Sequence, residues 1–297
     1  MKNYCLMTDA TAELTPELAQ ELDVVVLPMP LDLDGKAYQF TSFDDKLSAH
    51  DFYDHLRAGK SAHTSQINEA TYMEYFEKYL QQGIDILYLC FSSGLSNTYC
   101  AACRCAEELR RKYPERTLEC VDTLCASAGE GLLVYTCANM RKSGTPLEEV
   151  KQWAYDHRDT VCQCFKVDEL EHLRRGGRIS TTTAVIGSAL QIKPILVVNH
   201  EGKLEVVAKA RGRKRARDYL LQIIEKHLLN TPENDTIFIG HGDTLEEAQS
   251  LAADIQKNLP QIKRTIIVPI GPIVGTHVGP GMMDLLFYGT DRMCRLR

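Results

Sequence analysis

Three observations predict an α/β protein made of two α/β domains. Short apolar runs of strand length alternate with longer stretches of helical periodicity along nearly all 297 residues. A chain of that length suits about two domains, each able to bury a sizeable core. The charge is also split. Residues 1–160 carry 15 Lys and Arg against 25 Asp and Glu, whereas residues 161–297 carry 19 against 15. We therefore expect an N-terminal domain over 1–160 with a mostly parallel, doubly wound sheet. A smaller C-terminal α/β domain with a mixed sheet is expected over 161–297, with the seam near 155–165.

Asn3–Met7 reads as the first strand, followed by a turn at Thr8-Asp9-Ala10-Thr11 and a helix opening near Thr15-Pro16, where Pro suits the first turn. Val24–Pro28 is a second strand, and Leu31–Leu33 with Ala37–Phe40 makes a hairpin around Asp34-Gly35. Helices are expected over 50–58 and 68–81. Ile84–Cys90 is a buried strand leading to a helix from Thr98 to Lys112, and Thr117–Val121 leads to a helix ending near Lys142. Past Thr145-Pro146 a helix runs to about Asp159. The second half brings a strand at Val161–Val167, a short helix at Leu170–Arg174 stopped by Gly176-Gly177, and helical character from Ser180 to Ile192 broken by Lys193-Pro194. Ile195–Asn199 and Leu204–Ala210 form a hairpin around Glu201-Gly202. Arg213–Leu228 and Thr244–Asn258 are helical, Asp235–Gly240 and Lys263–Ile270 are strands. Gly271 to Gly281, with six Gly or Pro around Thr276-His277, reads as a rigid loop with accessible backbone.

Composition excludes several classes. With 44% hydrophobic and 25% charged residues the chain is globular rather than disordered. Tyr4-Cys5-Leu6-Met7 is too short for a signal-peptide core, and no apolar run approaches the roughly eighteen residues of a membrane span. A cytoplasmic protein is expected, in which the eleven cysteines are thiols. Cys103 and Cys105 fall in one helix about 200° apart and cannot converge on one metal ion. The basic stretch Lys209–Arg217 has no accompanying nucleic-acid motif, so it reads as a solvated helix start or a docking face for an acidic partner.

No phosphate loop, dinucleotide fingerprint or HExxH pair is present. Ser92-Ser93-Gly94-Leu95-Ser96-Asn97 follows a buried strand and precedes a helix. Hydroxyls and free backbone N–H groups at such a place suit a carboxylate or phosphate, and suit ordinary capping equally well. A serine hydrolase using Ser92 or Ser93 with His241 or His277 is the competing enzyme class, although the GxSxG turn is missing. Asp9, Ser92-Ser93 and Asp122-Thr123 all follow strands, where open α/β sheets bind ligands, which points to one shared crevice.

Taken together, several stretches resemble the DegV family of bacterial fatty-acid-binding proteins. Thr8-Asp9-Ala10-Thr11-Ala12-Glu13-Leu14 looks like its TDSTADL, Thr64-Ser65-Gln66 like TSQPS, and Ser92 to Tyr99 like SSGLSGTY. Val121-Asp122-Thr123 to Leu133 is similar to VDSxxxSxGxGLLV, and Leu170 to Ile179 to LEYLKKGGRI. Ile192 to Leu196, Lys209 to Ala216 and the Gly275-Thr276-His277 loop resemble IKPIL, KxRxRKKA and GTHxGPG. Ala10, Ile67-Asn68 and Asn97 depart from the family's Ser, Pro-Ser and Gly.

The resemblance implies a carrier without catalysis of its own or any cofactor, acting in lipid transport or fatty acid metabolism. A long-chain fatty acid, palmitate- or oleate-like, would be buried in it, with the carboxylate held by Thr64 and Ser93, His277 closing the network and Ser92 nearby. It further implies presentation of the acid to a kinase partner. Arg178 would face the developing phosphate, and Arg174, Arg175 and Lys209–Arg217 would serve as docking face.

Overall fold

A computed structural model of the chain describes residues 4–44, 46–180 and 191–296. Four strands, β1 (Tyr4–Asp9), β2 (Val24–Leu27), β6 (Asp85–Cys90) and β7 (Leu118–Asp122), form a parallel sheet in the order β2-β1-β6-β7. Both faces are covered, as parallel sheets require. Met7, Ile86, Tyr88 and Cys120 pack on one side with α3 (Glu69–Leu80) and α4 (Thr98–Lys112). Their neighbours Leu6, Leu87, Leu89 and Val121 point the other way, toward α1 (Pro16–Leu22), α5 (Ala128–Lys142) and α6 (Leu147–His157). Helix starts are set locally: Thr15 and Asn68 accept from Leu18 N at 3.2 Å and Thr71 N at 2.8 Å. Beside this sheet, β3 (Met29–Leu33), β4 (Lys36–Phe40) and β5 (Ala62–Thr64) make a small antiparallel one, with α2 (Ala49–Arg57) between β4 and β5 in sequence. Asp34 and Gly35 both take positive φ (55° and 81°), which is what a tight two-residue hairpin needs.

Six strands form the second large sheet, a mixed one: β8 (Val161–Lys166), β9 (Ile192–Val198), β10 (Leu204–Arg211), β11 (Thr236–His241), β12 (Arg264–Pro269) and β13 (Met283–Tyr288), in the order β10-β9-β8-β13-β11-β12. Only β11 and β12 run parallel. One face packs under α8 (Arg213–His227) and α9 (Leu245–Asn258). The other presents Phe238, Leu286 and Tyr288 to α5, so this helix lies in a layer between the two large sheets. Its sequence fits that position, since it is apolar nearly all round and buried from Ala128 to Val134. Among the described residues, no helix is long and apolar enough to cross a membrane.

Four expectations change. Pro272–Val278 is a helix, α10, rather than a rigid loop, because Pro272 occupies its first turn and Gly279 ends it with positive φ. Met283–Tyr288 adds the strand β13, which no apolar alternation announced because both its faces are buried. Thr64 ends a short strand, β5, that the expected elements did not include. The helix expected over 180–192 lies mostly outside the described residues, but Ile192 opens β9, and Pro194 sits inside that strand giving its carbonyl to Val167 N at 3.1 Å.

Candidate functional site

The turns after β1, β6 and β7 face β8, β13 and α10 across a cavity of about 810 Å³, counting its mouth. Its position beyond the carboxyl ends of the parallel strands is the expected one for this architecture. Most of the wall is apolar, including Met29, Leu95, Phe165, Ile273, Val278 and Leu286.

At the mouth, the pairing of β5 with β3 sets Thr64 opposite Leu31, and Thr64 Oγ1 lies 2.9 Å from His277 Nε2 in the last turn of α10. Burial, followed by the charges of Arg178 and His172, holds the His277 imidazole down to about 4, so it is neutral at pH 7. A neutral ring that donates from Nε2 to Thr64 leaves the Thr64 hydroxyl free to donate onward. Gly176 ends α7 (Glu171–Arg175) against the imidazole, where any Cβ would collide with the ring. This close approach positions Arg178. Its guanidinium donates to Gly176 O, and among the described residues no carboxylate pairs with it. Burial lowers its pKa, yet an arginine stays charged in a protein. Thr64, Arg178 and His277 also border a polar surface groove lined by Lys60, His63, His172 and Arg175. They therefore mark the junction between the interior and the outside.

The interior wall is different. Pairing of Gln163 with Leu286 and of Phe165 with Asp284 brings these four side chains onto one face of β8 and β13, and all four line the cavity. Asp284 Oδ1 accepts from Gly240 N at 2.6 Å, and burial pushes its carboxyl up to about 7. Thr11 and Ser127 complete this end. Behind Thr11, Asp9 accepts from Thr11 N at 3.0 Å and Tyr88 Oη at 3.0 Å. Glu130 accepts from Thr8 and Thr11 hydroxyls, each at 2.9 Å. Burial raises the pKa of both acids.

The sequence-expected residues divide. Thr64, His277 and Arg178 come together at the mouth, and Arg175 lies on the groove outside it. Arg174 is instead paired with Glu171, at 2.6 Å and 2.8 Å. Ser92 and Ser93 are not brought to the cavity wall. Ser92 is fully buried, and its hydroxyl donates to Gly202 O at 2.8 Å, tying the β6–α4 turn to the β9–β10 turn. Ser93 is exposed. The backbone N–H groups that would serve an anion there are already taken: Ser93 N donates to Asp122 at 3.1 Å and Gly94 N to Ser92 Oγ at 3.1 Å. Of the motif's three serines it is Ser96 that lines the cavity. Among the described residues neither Ser92 nor Ser93 hydrogen-bonds a histidine; His241 Nδ1 accepts from Thr244 N at 3.3 Å. The basic stretch is exposed at the start of α8, with Arg213 paired to Asp168 and Arg217 to Asp254. Gln163, Ser127 and Asp284 escaped the sequence reading. The available sign was a polar residue inside a buried apolar run, Cys162-Gln163-Cys164 and Met283-Asp284-Leu285.

Comparison with known proteins gives a consistent answer. The family described as "uncharacterised protein, DegV family" matches residues 4–290. A DegV domain-containing protein of Clostridium perfringens is 43% identical over 292 residues, covering 98% of this chain and 99% of its own. Another from Streptococcus pyogenes is 33% identical over 288 residues, covering 97% and 99%. Among solved structures, a fatty-acid-binding DegV family protein from Thermus thermophilus superimposes with TM-score 0.84 at 26% identity, covering 97% of this chain and 99% of that one. A DegV lipid-binding protein from Thermotoga maritima gives 0.81 at 26% identity, covering 98% and 100%. The chain belongs to the DegV family.

Proposed function

We propose that this member of the DegV family is a cytoplasmic carrier for one long-chain fatty acid, palmitate- or oleate-like, with no chemistry of its own. The acyl chain would lie in the cavity, and the carboxylate would meet Thr64, His277 and Arg178, with Ser96 supplying a serine hydroxyl in place of Ser92 and Ser93. One observation carries this reading: a half-buried guanidinium with no carboxylate partner among the described residues stands beside a Thr–His pair at the opening of an apolar cavity. A charge so placed is costly unless an anion arrives to pair with it. An arginine suits a carboxylate because it can donate two parallel hydrogen bonds. Burying the tail of palmitate at about 0.8 kcal/mol per methylene gives on the order of 10 kcal/mol gross, from which association costs are subtracted.

The bound carboxylate would sit next to the outer groove. A kinase partner seated there would move the γ-phosphoryl group of its nucleoside triphosphate to a carboxylate oxygen, giving an acyl phosphate and the nucleoside diphosphate. Arg178 would face the transferred group, with Arg175 at the docking rim. Extraction of the purified protein with organic solvent, followed by mass spectrometry, tests the carrier. A stoichiometric long-chain acid that is lost from a Thr64→Val, Arg178→Ala double variant is expected. A protein that holds no acid and takes up neither added palmitate nor oleate would sink the proposal.

A further inference from the structure

The interior wall carries hydrogen-bonding groups that a plain hydrocarbon chain leaves unused. Gln163 is only 2% exposed, in the middle of β8. Its Oε1 accepts from Ala126 N at 2.8 Å, which fixes which end of the amide is oxygen, and among the described residues its Nε2 has no hydrogen-bond partner. Ser127, 4% exposed, stands at the N-cap of α5 with φ of 54°, and its hydroxyl makes no cap bond. Both residues line the cavity beside Asp284, and none of the three borders the outer groove. An unpaired buried amide is costly. The bond to Ala126 N accounts for the oxygen end of the amide and leaves the Nε2 end unused by the described residues.

We propose that the cavity is built for an oxygenated fatty acid, one whose acyl chain carries a neutral oxygen substituent such as a hydroxyl that accepts a hydrogen bond from Gln163 Nε2. This inference rests on the fatty-acid reading above and names the ligand class within it. A hydroxyl there accepts from Gln163 and donates to Ser127 or Asp284. The substituent must be uncharged. Asp9, Glu13, Glu130 and Asp284 are all buried, and their partners are hydroxyls and backbone N–H groups; among the described residues none of the four forms an ion pair. A second carboxylate at this end would be buried among acids with no cation beside it among the described residues.

Titration of lipid-free protein with stearate, 10-hydroxystearate, 12-hydroxystearate and octadecanedioate separates the outcomes. In a purely apolar cavity a hydroxyl weakens binding, because it is buried without a partner. The expectation is the reverse: at least one hydroxystearate binds about fivefold tighter than stearate, the gain of one hydrogen bond. Octadecanedioate should bind more weakly than stearate. Gln163→Leu should abolish the preference for the hydroxy acid while stearate affinity holds or rises. The comparison in the unmodified protein stands even if that variant does not fold. Stearate binding as tightly as both hydroxystearates, or a preference that survives in Gln163→Leu, overturns the inference and leaves the carrier reading intact. Failure to bind any of the four acids overturns both.

Discussion

The two ends of the cavity respond to the same burial in opposite ways. At the mouth burial strips the proton from His277, and Arg178 alone keeps its charge. In the interior burial drives Asp9, Glu130 and Asp284 toward their protonated, neutral forms. What remains is a positive mouth and an interior that becomes negative whenever an acid ionises. The lesson concerns orientation. An apolar tunnel accepts a fatty acid either way round, whereas this charge difference directs the head group to the mouth.

The largest expected effect comes from ionising the interior. Asp284 has a folded-state pKa of about 7, above its unfolded value, so its contribution to stability is complete at low pH and is lost as pH rises through neutrality. Asp9 and Glu130 are raised too and act with the same sign. At the mouth the sign reverses. His277, lowered to about 4, contributes stability that is lost as pH falls from about 6.5. Thermal melts of the lipid-free protein between pH 5.5 and 8.5 should fall with pH. Asp284→Asn should flatten the curve by about 2 kcal/mol between pH 5.5 and 7. A melt that rises across this window breaks the comparison.

Removing the charge of the mouth is next in size. Arg178→Ala should weaken palmitate binding by roughly 10- to 100-fold, as for a lost hydrogen bond to a charged group, and should leave 1-hexadecanol almost unaffected. Equal losses for acid and alcohol would mean that Arg178 shapes the cavity rather than meeting a carboxylate. Thr64→Val should cost about fivefold in palmitate affinity, one neutral hydrogen bond. The smallest effects are expected from Ser93→Ala and Arg174→Ala. Ser93 is exposed, and Arg174 is engaged with Glu171. Isothermal titration should give both variants the affinity of the unmodified protein, with stability within about 0.5 kcal/mol.

The same contrast explains what the sequence made legible. The mouth residues Thr64, His277 and Arg178 stand in short motifs with Gly and Pro around them, and the motifs carried them. The parallel sheet was equally plain, because strand-length apolar runs alternate with capped helices such as the one opened by Asn68. The interior was hidden. Gln163 and Asp284 stand in fully buried strands whose sequence shows no alternation, and β13 itself went unread for that reason. Ser92 and Ser93 stand off the cavity wall for a different reason. A turn between strand and helix offers N–H groups to an anion only if nothing nearer takes them, and here Asp122 and the Ser92 hydroxyl do. Asp122, 29 residues away in sequence, reaches Ser93 N only through folding. Helix α10 was obscured because Gly275 breaks its pattern, and its burial against Phe52 and Tyr53 is tertiary.

The most direct test of orientation is the carboxyl resonance of bound [1-13C]palmitate followed by NMR across pH. The account predicts a carboxylate held by Arg178 and Thr64, which stays ionised and shows no titration above pH ~5. A bound carboxyl that titrates at pH ~7 or higher would place the head group among the interior acids and contradict it.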